Sequence, residues 1–288
     1  MREKLLLDTD IGSDIDDAVC LAYLLANPAC DLLGITTVSG EARQRASMAS
    51  ALCRVAGKNI PIYPGREHPL LNRLRQAHAQ QASVLPRWPH DTDFADGEAI
   101  EFMRSTIHAH PGEVTLLAIG PLTNVAALFA ADESVPGLLK SLVIMGGNFL
   151  KPIPMEWNIL LDPAAAAIVY HQPVKHHRSI GLDVTRQVVL SAEETRERFQ
   201  APLLKPVLEF AEVWFKEQKV ITFHDPLAAT TIFDADVCQF KQGQITIELA
   251  NPHEAGRTDW VADPKGPHDV ALEVDSERFF KHFFSFFE

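Results

Sequence analysis

Leu5-Leu6-Leu7-Asp8-Thr9-Asp10-Ile11-Gly12-Ser13-Asp14-Ile15-Asp16-Asp17 is an apolar run that ends in five carboxylates within ten residues. Charges of one sign packed this closely repel one another unless a cation sits among them. At the C-terminal end of a parallel strand, carboxylates in this density suit a hard, oxygen-liganded ion such as Ca²⁺ or Mg²⁺. Asp10 closes the strand and Asp17 opens the following helix, whose free amides favour negative charge, so the two can face one cavity from two sides. A helix cap accounts for Asp14 or Asp16, but not for Asp8, Asp10 and Asp17 together.

Working outward, strand and helix patterns alternate. Strands are expected at Lys4–Asp8, Leu32–Val38, Ile60–Tyr63, Val114–Ala118 and Ser141–Met145, with another ending at Ile180. Helices are expected at Asp16–Ala26, Glu41–Ala56, about Gly97–Ala109 and from Pro121. Such repeats imply right-handed crossovers and a mainly parallel, Rossmann-like sheet covered by helices on both faces, with ligands at the strand C-termini. The later chain reads as helical over Ala192–Lys216 and Pro226–Phe233, followed by additional strands at Gln244–Leu249 and Val270–Val274. Leu70–Phe94 lacks periodicity and reads as a long surface insertion of the kind that rims active sites. No linker or repeat divides the chain, so residues 1–288 are expected to form a single α/β domain.

Composition narrows the function classes. A formal charge of −12 opposes obligate nucleic-acid binding, and no basic run relieves it. Four scattered cysteines without a CxxC pair read as buried free thiols. With no signal peptide and no long apolar window, the reading is a soluble, cytoplasmic protein that needs no membrane. The C-terminal Ser276–Glu288 carries six phenylalanines, more than one helical face can hide, which suggests docking on the core with some area left for a subunit contact.

Two further groups carry chemistry. Asp225, followed by Pro226, reads as a helix N-cap and also as a distant extra ion ligand, with neighbouring His224 as a proton donor. Glu156 and Asn158 flank Trp157, and in an extended stretch both polar side chains would point the same way, as a polyol such as a sugar requires.

With these stretches on view, the chain resembles the calcium-dependent nucleoside hydrolases of the inosine-uridine preferring type. The resemblance rests on Asp8-Thr9-Asp10 through Asp16-Asp17-Ala18, Ala118-Ile119-Gly120-Pro121-Leu122-Thr123-Asn124, Met145-Gly146-Gly147, Glu156-Trp157-Asn158, Asp162-Pro163, Gly181-Leu182-Asp183-Val184-Thr185 and His224-Asp225-Pro226-Leu227, in family order over nearly the whole chain. It implies N-glycosidic cleavage of a ribonucleoside to base and ribose by an enzyme that is a homodimer or homotetramer. Asp10 then resembles the residue that ligates calcium and takes the proton of the attacking water. Asp17, the Ile119 carbonyl and Asp225 resemble the other metal ligands. Asp16, Glu156 and Asn158 resemble residues that grip the ribose, Trp157 an aromatic of the pocket, and His224 the acid for the departing base. Met145, Glu41 and Asn148 are further candidate substrate contacts. The chain departs from the family at Ile11, which replaces proline in an opening that is one residue longer here. It departs again at Glu41, which replaces asparagine, in the short 148–155 loop where Asn148 partly substitutes for a Gly-Asn element, and at Arg186, which replaces histidine.

Other readings are a ribose-binding relative without turnover, a hydrolase of a modified ribosyl compound, and a Mg²⁺-dependent phosphohydrolase. The last would need a phosphate-neutralising cation at a strand end, for which Lys140 and Lys151 are the candidates. Base stacking has five aromatic candidates in Trp88, His90, Trp157, Phe223 and Trp260.

Overall fold

The computed structural model describes residues 2–150 and 154–288, so Lys151 and the middle of the 148–155 loop lie outside the described residues. Among the described residues, apolar runs punctuated by Gly, Pro and Asp fold as eleven strands: β1 (Glu3–Thr9), β2 (Cys30–Thr37), β3 (Ile62–Pro64), β4 (Val114–Ala118), β5 (Ser141–Met145), β6 (His177–Ile180), β7 (Val189–Ser191), β8 (Val220–Thr222), β9 (Cys238–Ile247), β10 (Thr258–Ala262) and β11 (His268–Val274). Nine of them form one sheet in the order β10-β9-β11-β6-β5-β4-β1-β2-β3. From β11 to β3 all neighbours are parallel, whereas β9 runs antiparallel to both β10 and β11. The expected mainly parallel α/β architecture is what forms.

One topological detail positions the site. β1 has β2 on one side and β4 on the other, and the chain returns to the sheet on opposite sides of β1. This reversal opens a crevice at the C-terminal ends of β1 and β4, where open α/β sheets hold ligands. Two apolar layers cover the sheet. One contains the helix Asp16–Ala26 with Val19, Tyr23 and Leu24, and the other contains Val125, Leu128, Phe129 and Val169.

Several expectations need correction. The continuous helix expected over Ala192–Lys216 is two helices, Ala192–Arg198 and Leu204–Trp214, separated around Pro202, which cannot donate a backbone hydrogen bond. β7 and β8 pair into a separate ribbon, and β10 lines the sheet edge; none shows a long alternating pattern in sequence. The phenylalanine-rich segment forms the helix Ser276–Phe284, with Phe279 and Phe283 fully buried against Tyr23 and Phe223. Core docking therefore accounts for those two rings. All four cysteines are free and buried.

Candidate active site

A cavity of about 410 Å³ opens at the C-terminal ends of β1, β4 and β5. Asp10, Asp14, Asp16, Asp17, Ile119, Met145, Glu156, Trp157, Asn158, His224 and Asp225 all line it. Segments more than two hundred residues apart therefore converge, as the backbone N–H of Asp225 shows by donating to Asp16 Oδ2 at 3.1 Å.

The acidic floor is assembled by the first strand–helix turn. Asp16 and Asp17 are the first residues of the helix Asp16–Ala26, whose N-cap is Ile15 rather than an aspartate. Asp14 holds the Ile15 N–H at 2.6 Å, and Thr9 Oγ1 donates to Asp17 Oδ1 at 2.5 Å. Asp225 is not the expected N-cap either. The helix His224–Phe233 begins one residue earlier, so the Asp225 carboxylate makes no capping bond and faces the cavity. Oxygens of Asp16, Asp17 and Asp225 lie within 4.8 Å of one another, and all three residues are buried.

Burial pushes each of these carboxyls well above the usual range, and neighbouring carboxylates push further: Asp14 on Asp16, Asp10 on Asp17, and Asp16 on Asp225. Asp10 is raised by burial too, against the pull of Arg45 and of Gln76 Nε2, which donates to its Oδ2. A buried, oxygen-only donor set at this spacing fits a hard divalent cation, whose charge would reverse the repulsion. The fully buried Arg45 draws Asp10 and Asp17 toward ionisation without bonding to either carboxylate. Its guanidinium is directed at backbone, donating to Gly40 O (2.8 Å), Ile11 O (3.1 Å), His78 O (3.2 Å) and Asp10 O, and to Ser13 Oγ (3.0 Å).

The opposite wall is polar and partly aromatic. Glu156 and Asn158 do not lie in an extended stretch; Glu156 is the N-cap of the helix Trp157–Leu161. Its carboxylate accepts from the N–H groups of Asn158 (2.8 Å), Ile159 (3.0 Å) and Gly147 (3.3 Å). Burial nevertheless outweighs those donors and raises its carboxyl to about 7. Asn158 Nδ2 donates to the carbonyls of Ile119 (2.9 Å) and Met145 (3.2 Å), which fixes both strand ends. A carbonyl oxygen has two lone pairs, so Ile119 O keeps one for a further partner.

His224 Nδ1 lies 2.7 Å from Thr185 Oγ1. Packing around the ring, and secondarily Arg186, hold the imidazole down to about 4, so it is neutral at pH 7.

Four sets of expected contacts differ. Glu41 does not line the cavity: it has a left-handed backbone (φ 61°), and its carboxylate accepts from the Ala79 N–H (2.8 Å) and pairs with His78 Nδ1 (2.9 Å). Asn148 also stays outside, because its Nδ2 donates to Pro154 O (2.9 Å) and its backbone N–H to Thr258 Oγ1 (2.9 Å). Among the aromatic candidates only Trp157 lines the cavity. Trp88 and Trp260 pack against the core layers, Phe223 is a fully buried member of one of them, and His90 Nδ1 meets the Trp88 carbonyl at 2.7 Å. Lys140 pairs with Glu3 at 2.5 Å, beside the start of β1 and away from the acidic floor, so it offers no cation for phosphate there.

Sequence reasoning missed Gln76, which lines the cavity from the aperiodic 70–94 stretch. Its only sequence signal was membership of a long insertion next to a site.

The family profile described as "inosine-uridine preferring nucleoside hydrolase" matches residues 5–281. The chain belongs to the nucleoside hydrolase family. It is 30% identical over 270 residues to uridine nucleosidase 1 of Arabidopsis thaliana, covering 86% of this chain and 79% of that protein. It is 29% identical over 308 residues to the inosine-uridine preferring nucleoside hydrolase of Leishmania major, covering 97% and 95% of the two chains. Among solved structures, the purine-preferring ribonucleoside hydrolase of Gardnerella vaginalis shares the fold with a TM-score of 0.84 at 24% identity, covering 99% of this chain and 98% of that one. As a nucleoside hydrolase fold, the sheet accounts for the position of the cavity. Membership of the family makes the chain an N-glycosidase of ribonucleosides. Among the described residues, no helix is long and apolar enough to cross a membrane.

Proposed function

We propose that the protein, acting as one unit over residues 1–288, hydrolyses ribonucleosides to free base and ribose with Ca²⁺ as its resident ion. The observation that carries this reading is the convergence of Asp10, Asp16, Asp17 and Asp225 with Glu156 and Asn158 on one cavity. In this reading Asp10, Asp17, Asp225 and the Ile119 carbonyl hold the ion. When bound, Ca²⁺ supplies positive charge that keeps these carboxylates ionised and acidifies oxygen ligands.

The chain's own groups do the rest. Asp10 takes the proton of the attacking water. Asp16 accepts a hydrogen bond from a ribose hydroxyl, and Glu156 and Asn158 hold the sugar in place. Developing positive charge on the ribose is stabilised by the surrounding carboxylates, which are fixed before the reaction begins. Glu156 serves this role while ionised, and a nearby divalent charge favours that form. Trp157, half-exposed at the rim, offers the base an aromatic face, and the buried Met145 lines the same cavity. His224, neutral and anchored through Nδ1, presents Nε2 to the departing base.

The substrate is a small ribonucleoside, with no nucleic-acid or membrane partner. Relatives named for uridine and for inosine-uridine preference support testing both base classes. A cytoplasmic homodimer or homotetramer is the proposed form of the enzyme.

The test is base release from inosine, adenosine, guanosine, uridine and cytidine, with Ca²⁺ and with a chelator. Calcium-dependent release from any of them is the expected result. Calcium binding with no release from the panel would favour the ribose-binding relative or a modified ribosyl substrate, and release insensitive to the chelator would overturn the metal's role.

A further inference from the structure

Gln76 touches two members of the site at once. Its Nε2 donates to Asp10 Oδ2, and its Oε1 accepts from Trp157 Nε1 at 2.8 Å. The amide orientation is fixed chemically, because an indole N–H can only donate. The oxygen of Gln76 must face Trp157, and the NH₂ group must then face Asp10.

The backbone around Gln76 is held independently of any ligand. Gly40 N–H donates to Gln76 O at 3.1 Å, and a Cβ at Gly40 would lie 2.4 Å from Ala77 O, so only glycine permits this approach. Glu41 grips Ala79 and His78, while Arg45 and Ser13 both donate to His78 O at 3.2 Å. Gln81 N–H bonds Gly12 O at 3.1 Å. The loop is thus pinned to the acidic turn on one side and presents Gln76, only 9% exposed, to the cavity on the other. This also explains what Glu41 does in place of contacting substrate: it braces the loop that carries Gln76.

We propose that Gln76 is a positioning residue that couples the aromatic rim to the proton acceptor. By occupying Asp10 Oδ2 it fixes the carboxylate's rotation. Gly120 leaves room for that rotamer, since a Cβ there would lie 2.9 Å from Oδ1. When a base settles on Trp157, the indole's position is transmitted through the Gln76 amide to Asp10. The proposal rests on the reading of Asp10 as proton acceptor given above.

Gln76→Leu and Trp157→Phe each remove one end of this link, the second while keeping an aromatic ring. A hydrogen bond to a charged group carries enough energy for kcat to fall about 10- to 100-fold in Gln76→Leu, with KM within about threefold. Trp157→Phe should lower kcat by a smaller factor, and that factor should vanish when Gln76 is already Leu. Factors that multiply in the double variant, or a raised KM with unchanged kcat, would overturn the proposal.

A second readout needs no turnover. In ¹⁵N-labelled protein the Trp157 indole N–H signal, assigned by its loss in Trp157→Phe, should shift in Asp10→Asn. The shift should disappear in the Gln76→Leu background. A shift that persists there, or none at all, overturns the coupling. An intact coupling in a protein that releases no base would instead overturn the hydrolase reading and leave the link standing.

Discussion

Replacing Arg45 by methionine tests how the acidic turn is held. Methionine keeps most of the length and apolar volume of the stem but removes every donor. Four backbone carbonyls and the Ser13 hydroxyl lose a partner, all around a side chain with no solvent exposure. A buried acceptor left unmet costs about 1–3 kcal/mol, and relaxation or an entering water recovers part of the sum. Hydrogen bonds to a charged group contribute about 1.5–3 kcal/mol each, and five of them through one fork, less what relaxation recovers, put the expected loss at about 3–5 kcal/mol. At roughly 2–4 °C per kcal/mol for a chain of this size class, the melting temperature should drop by about 6–20 °C. Arg45 also draws Asp10 and Asp17 toward ionisation, so the loss should be larger with chelator than with Ca²⁺. Arg45→Lys restores the charge but not the fork that reaches Gly40, Asp10 and His78 together, and should recover less than half of the loss. The assay is thermal unfolding followed by circular dichroism for both variants, with and without the ion. A loss below about 1 kcal/mol in Arg45→Met, no more than one ordinary hydrogen bond, would refute the reasoning.

Other consequences are equally direct. Asp10→Asn should keep the fold and ligand binding while turnover falls about 10²- to 10⁴-fold, as measured by steady-state base release. Asp225→Asn removes one member of a mutually repelling buried trio, so without metal it should melt no lower than the native chain, and it should lose the stabilisation that added Ca²⁺ gives. His224→Ala should slow nucleosides with poor leaving groups most and spare an activated nitrophenyl riboside; equal losses on both would remove its role toward the base. His177 is buried with no partner for either ring nitrogen, stacked on Tyr170 at 4.9 Å, and burial pushes its pKa well down. The unfolded chain binds a proton there below about pH 6.5 and the folded chain does not, so stability should fall by about 1.4 kcal/mol per pH unit on acidification. In His177→Phe that slope should flatten by one proton between about pH 6.5 and 5 in denaturant titrations, and should be unchanged above.

What could be read ahead of the structure follows from where the information sits. The helix Asp16–Ala26 and the strands β4 and β5 agree with their sequence boundaries, because each is an apolar block closed by Gly, Pro or Asp. The ribbon of β7 and β8 was not legible: each strand has three residues, Val189 and Val220 are exposed, and pairing across some thirty residues is what orders them. In the site, Asp10, Asp16, Asp17 and Asp225 stood out because crowded carboxylates at element ends are costly without a purpose, and Glu156 because it flanks Trp157 together with Asn158. Glu41 and Asn148 carry the right chemistry but are turned toward neighbouring loops, a choice set by the αL backbone at Glu41 and by Pro154 and Thr258 beside Asn148. Gln76 could not be found in advance, since nothing local distinguishes it from the other glutamines of an aperiodic stretch. Its importance comes from Asp10 and Trp157, which lie 66 residues before and 81 residues after it.

The last helix bears on how the protein is made. Phe283 stacks on Tyr23 at 5.7 Å, and His282 Nε2 meets the Tyr23 hydroxyl at 2.8 Å, behind the helix that begins with Asp16 and Asp17. During synthesis the acidic turn emerges well before Asp225, which lies 209 residues after Asp16, and the segment that seats the Asp16–Ala26 helix from behind follows later still. A nascent chain therefore carries an unfinished cation trap until both of those segments have left the ribosome.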